Sequence, residues 1–120
     1  MEIPIEIEVK NGLLYAKYLV DEIDLEVAER AVKQRLDFQE GKEYIGVFDS
    51  TNLKIIRNDA RKDLSQPIAY KGLLAAAFII KSPIGAVLGN FYLSFGKFPI
   101  PTKLFRQEKQ ALEWIASLKL

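Results

Sequence analysis

Residues 72–80 read GLLAAAFII. After the opening glycine every side chain is apolar, so the run has no wet face and no dry face. That pattern fits a strand in the middle of a parallel sheet covered on both sides. Its neighbours then fall into place. Upstream, YIGVFDS (44–50) is a second short apolar run, and its polar end opens into a loop. Downstream, Ser82-Pro83 offers a capping hydroxyl followed by proline at a first helical position.

Working outward in both directions gives alternating elements. Ile3, Ile5, Ile7 and Val9 alternate with Glu6, Glu8 and Lys10, the period of two of a half-buried strand, with Pro4 near its start where a missing N–H is tolerated. Asn11-Gly12 separates that strand from LLYAKYLV (13–20), and Asn-Gly is the strongest short-range hairpin signal because both residues accept positive φ. Asp24 caps LEVAERAVKQRLDFQ (25–39), whose Leu25, Ala28, Val32 and Leu36 share one helical face; Gly41 is the expected stop. A short extended piece, NLKII (52–56), precedes a helix DARKDL (59–64) capped by Asn58 and ended by Pro67. Pro99-Ile100-Pro101 closes the helix opened at Ser82. TKLF (102–105) is a strand, and EKQALEWIASL (108–118) is a final helix turning Ala111, Trp114, Ile115 and Leu118 inward. The order ββαβαβαβα predicts a single α/β domain over 1–120, with a mainly parallel sheet of about five strands and helices on its faces.

Composition narrows function. The 120 residues are 49% hydrophobic and 28% charged, an ordinary globular balance, and a net charge of +1 gives no strong field for nucleic acid or anionic membrane. The chain has neither cysteine nor histidine. That removes disulfides, thiolate chemistry, the usual general base near neutral pH and the commonest transition-metal ligand. No acidic cluster has calcium-loop spacing, so no metal and no cofactor are expected. The first residues lack a basic start followed by an apolar run, which makes a cytoplasmic protein the expectation. An apolar window over 72–90 is broken by Lys81-Ser82-Pro83 and falls short of the roughly 20 unbroken apolar residues of a spanning helix.

The element order is similar to that of the STAS domain, the SpoIIAA-like fold of sulfate-transporter tails and anti-sigma-factor antagonists. The run KSPIGAVLGNFYLSFGKFPIPTKLF (81–105), followed by EKQALEWI, resembles a family of small stand-alone bacterial proteins of unassigned function, STAS-like and related to lipid-binding CRAL-TRIO domains. The resemblance covers nearly the whole chain. Its most specific parts are Ser82-Pro83, Gly89-Asn90-Phe91, residues 101–105 and residues 111–114. The antagonists carry a phosphorylated serine at the N-terminus of the helix after their third strand. Asp49-Ser50-Thr51-Asn52 looks similar to their motif but closes the strand itself. The matching position falls near 57–59, where Asn58 stands and cannot accept phosphate.

Two candidate sites remain. Asp49, Ser50 and Thr51, with Asn58, form a candidate polar pocket at the carboxyl end of a central strand, where open α/β sheets bind ligands; the plainer reading is a turn satisfied by its own side chains. On the segment after Ser82, Ile84, Leu88, Phe91 and Phe95 gather on one helical face, and Gly85, Gly89, Tyr92 and Gly96 on the adjoining one. Glycines in a helix destabilise it, so another backbone or a ligand is expected against that face. Gly85, Gly89, Tyr92, Leu93 and Phe98 are the candidate interaction surface. Lys54, Arg57, Arg61 and Lys62 form a basic cluster diluted by Asp59 and Asp63. The expected function is a non-enzymatic binding or regulatory module acting through protein contacts, homodimerisation included. The alternative is a carrier or sensor of an apolar small molecule or lipid. An enzyme using Asp49 with Ser50 or Tyr44 is the least favoured reading.

Overall fold

The structure, a computed structural model, describes residues 3–81 and 99–120. Asn11 and Gly12 take φ of 51° and 78°, as a two-residue hairpin turn requires, and join β1 (Ile5–Lys10) to β2 (Leu13–Tyr18) antiparallel. β3 (Glu22–Ile23) is a two-residue strand. It leads into helix α1 (Leu25–Gln39), where Asp24 accepts from the Val27 N–H at 2.9 Å as the expected N-cap. Then come β4 (Tyr44–Asp49), β5 (Ile55–Ile56), α2 (Asn58–Leu64), a 3-10 turn (Pro67–Tyr70), β6 (Leu73–Ile79), β7 (Thr102–Phe105) and α3 (Glu108–Ser117).

The main sheet runs β1-β2-β4-β6-β7, and every pairing after the first hairpin is parallel. The expected α/β class and mainly parallel five-stranded sheet are therefore both present. β3 and β5 pair parallel in a separate small ladder.

Among the described residues two cores flank the sheet. Leu14, Ala16, Phe48, Ala76 and Ile80 face α1 and α2 with Ala28, Ala31 and Ala60. On the opposite side Val47, Ala77 and Ile79 meet Ala111, Trp114 and Ile115 of α3, with Phe105 and Trp114 rings 5.6 Å apart. Leu74 apart, the run GLLAAAFII is thus covered on both faces, as its composition predicts. A β-bulge shapes it. Tyr44 pairs with Leu73 but Ile45 pairs with Ala75, leaving Leu74 without an opposite residue and exposed. The extra residue shifts the alternation by one, so Leu73 and Ala76, three apart, share a face.

Two local expectations need correction. The buried stripe of α1 is Ala28, Ala31, Arg35 and Gln39, while Leu25 is 37% exposed. The helix does stop at the expected place: Glu40 is its left-handed C-cap with φ of 49°, and Gly41 follows with φ of 84°. At α2 the N-cap is Arg57, and Asn58 is already the first helical residue, its Oδ1 accepting from Arg61. The inferred helix after Ser82 lies outside the described residues.

Candidate functional site

Period-two alternation separates the two most conspicuous residues of the inferred polar pocket. Asp49 lines a shallow polar groove on the α3 face, beside Glu6, Glu8, Lys10, Tyr15, Lys17 and Glu108. Its Oδ1 accepts from the Thr51 N–H at 3.0 Å and the Thr51 hydroxyl at 2.6 Å, a self-contained turn. Ser50 lies on the other face. Its N–H donates to Ile79 O at 2.8 Å and its carbonyl accepts from Leu53 N–H at 3.1 Å. Asn58 reaches neither; it stays at the start of α2. The basic cluster is partly neutralised too, since Arg57 pairs with Glu22 at 2.6 Å across the β3–β5 ladder. Gly85, Gly89, Tyr92, Leu93 and Phe98 lie outside the described residues.

Ser50 opens onto a cavity of about 70 Å³ between the sheet and the α2 side of the fold. The sheet contributes Tyr18, Phe48, Leu73, Ala76, Phe78 and Leu104. Ile23 and Ile56 close it from the small ladder, Leu53 from the turn after β4, Leu64 from α2, and Ala69 and Tyr70 from the 3-10 turn. Phe48 and Phe78 stack with ring centroids 5.0 Å apart and planes 20° from parallel. Gly46 makes room for that stack: a Cβ there would lie 2.6 Å from the Phe48 ring and 3.2 Å from Leu73. None of the described lining residues carries a charged side chain.

The cavity wall is held from behind by a polar clamp. Arg35 and Gln39 are 3% and 2% exposed. The Arg35 guanidinium donates to Lys71 O at 2.8 Å, to Ala69 O at 3.1 Å and to the Gln39 side-chain oxygen. Gln39 Nε2 donates to Lys42 O at 2.8 Å and Gly72 O at 2.9 Å. Among the described residues no carboxylate pairs with Arg35; backbone carbonyls around the 3-10 turn solvate its charge instead. Burial lowers the Arg35 pKa, with Tyr18 opposing the shift.

The same burial raises the Tyr18 hydroxyl to about 12, partly offset by the Arg35 charge, and raises Tyr70 as well. A folded pKa above the unfolded value near 10 means the native state holds its proton longer. Stability from this group is complete below pH 10 and is lost as pH rises towards 12. The unfolding free energy from urea titration is expected to be level through neutral pH and to fall above pH ~10, by up to about 1.4 kcal/mol per pH unit for one tyrosine. Tyr18→Phe is expected to flatten that decline, and an unchanged alkaline slope in the variant overturns the assignment.

The family profile of a domain of unknown function, DUF7793, matches residues 7–119. The chain belongs to this family. DUF7793 therefore takes in both flanking cores, the cavity and the clamp. No curated protein matches the chain. Among solved structures, it is similar to an uncharacterised protein of the DUF3478 family from Shewanella loihica, described as having a SpoIIAA-like fold. The two share 22% identity with a TM-score of 0.62, over 92% of this chain and 90% of that one. The resemblance to STAS-like proteins of unassigned function is thereby upheld at the level of fold. Among the described residues no helix is long and apolar enough to cross a membrane.

Proposed function

We propose that this DUF7793 protein is a non-enzymatic binding module that takes an uncharged, apolar small molecule into the cavity over Phe48 and Phe78. The cavity itself carries the reading. It is partly open to solvent, and its volume of about 70 Å³ is several times the roughly 10–15 Å³ that one water occupies, so it seats one side of a small ring and leaves the rest at the mouth. Its lining is mainly aliphatic and aromatic, and water fills a site stably only where two to four polar partners hold it. A chain without histidine or cysteine, whose Asp49 carboxylate is engaged by its own turn, supports binding rather than catalysis. The reading through protein contacts or a homodimer rests on residues outside the described part, so the apolar-ligand alternative is the one the geometry favours.

Thermal denaturation with toluene as the probe tests this. Millimolar toluene is expected to raise the melting temperature of the wild-type protein. Ala76→Leu, which fills the cavity from the floor of the sheet, is expected to abolish that rise while leaving the protein folded. Gly46→Ala, which pushes the Phe48 ring off its seat, is expected to weaken the rise and to cost about 1–3 kcal/mol of stability. No toluene effect on the wild type, or an undiminished one in Ala76→Leu, refutes the proposal.

A further inference from the structure

Ser50 is 1% exposed, lines the cavity, and its hydroxyl has no hydrogen-bond partner among the described residues. A buried hydroxyl left unpaired is destabilising, so its retention at the rim of an apolar cavity calls for a partner that is not part of the chain's own framework. The backbone of Ser50 does not need the hydroxyl, because its N–H and carbonyl are bound to Ile79 and Leu53. Thr102, also on the lining, already donates its hydroxyl to Ile100 O at 3.0 Å. Two residues before Ser50, on β4, lies Phe48, its ring stacked on Phe78.

Resting on the cavity reading, we propose that Ser50 is the specificity-determining residue of the site and that its ligand is a compact, uncharged aromatic molecule bearing one hydroxyl or carbonyl oxygen. The ligand's ring packs against the Phe48–Phe78 pair, since aromatic rings gain from offset or edge-to-face contact. Its oxygen exchanges a hydrogen bond with Ser50. The absence of charged side chains from the described lining selects against a carboxylate or an amine, whose desolvation nothing there offsets. This goes beyond the general apolar pocket: it predicts discrimination between molecules of nearly equal size and shape.

The experiment compares p-cresol, toluene and benzoate as probes, by NMR titration of the whole chain, in the wild type and in Ser50→Ala. p-Cresol is expected to bind the wild type about threefold to tenfold tighter than toluene, the worth of one neutral hydrogen bond. Benzoate is expected to bind more weakly than either. In Ser50→Ala the preference for p-cresol is expected to vanish, while toluene binds at least as well and the melting temperature of the free protein does not fall. Equal binding of p-cresol and toluene by the wild type, or a preference that survives in Ser50→Ala, overturns the anchor and leaves the apolar cavity standing. Tighter binding of benzoate overturns the uncharged class. A lower melting temperature in free Ser50→Ala shows that the hydroxyl serves the fold and also overturns the proposal. Failure of all three probes to bind overturns the cavity reading itself.

Discussion

Arg35→Met is expected to lower stability by about 2–4 kcal/mol, read as a shift in the urea midpoint with an unchanged slope. Methionine keeps most of the volume and removes the buried charge, which on its own favours the variant. What it cannot do is donate. The carbonyls of Ala69 and Lys71 and the side-chain oxygen of Gln39 lose their shared donor at once. Arg35→Lys is expected to recover little. An ammonium is a point charge, and the two carbonyls plus an amide oxygen are met here by a planar fork. Because Ala69 and Tyr70 also wall the cavity, Arg35→Met is expected to weaken toluene binding as well. A loss below about 0.5 kcal/mol overturns the clamp as a stabilising device, since that is the range of an ordinary surface substitution.

Gly72→Ala is expected to cost about 2–5 kcal/mol. Two effects coincide at one position. Gly72 has φ of +81°, where an L side chain costs roughly 1–2 kcal/mol. An added Cβ would also lie 2.7 Å from Gln39 Nε2. That amide has little freedom to retreat, because it is buried and bonded to both Lys42 O and Gly72 O. Moving it costs a further 1–3 kcal/mol, on the order of a buried unsatisfied group. Gly41 supplies the control. It has φ of +84°, yet nothing lies within 4 Å of an added Cβ. Gly41→Ala should therefore show the backbone effect alone, about 1–2 kcal/mol. Equal losses at the two glycines remove the case for a crowded Gln39.

The two variants probe what was least legible in the sequence. Asn11-Gly12 and Asp24 act on residues two or three positions away, so their roles could be read directly from local chemistry. Arg35 and Gln39 could not. Both look like exposed residues of an amphipathic helix, and their burial depends on carbonyls more than thirty residues further along. The choice of Leu25 for the inner face of α1 fails for the same reason: apolar periodicity has no means of scoring a polar pair that finds partners elsewhere. The bulge at Leu74 was hidden because a uniformly apolar strand gives no phase to read.

Asp49 and Ser50 are a different case. Adjacent residues at a strand end point to opposite faces, and strand periodicity alone argued against a shared pocket. The cavity is harder. Its described walls come from seven strands and helices and the 3-10 turn, and no spacing in the sequence announces that Tyr18, Phe48, Ser50 and Phe78 converge. The orphaned hydroxyl of Ser50 is visible only once the neighbours are in place.

The sheet order has a consequence for synthesis on the ribosome. Across the main sheet, position in space follows position in the chain: the hairpin, then β4, then β6, then β7. No later strand has to be threaded between two earlier ones. A growing polypeptide can therefore assemble its sheet in the order in which it leaves the exit tunnel, each new strand joining one advancing edge. Among the described residues α3 covers the second face, and it follows every strand of the sheet in the chain, so until it docks that nascent edge and face remain surfaces a chaperone would meet.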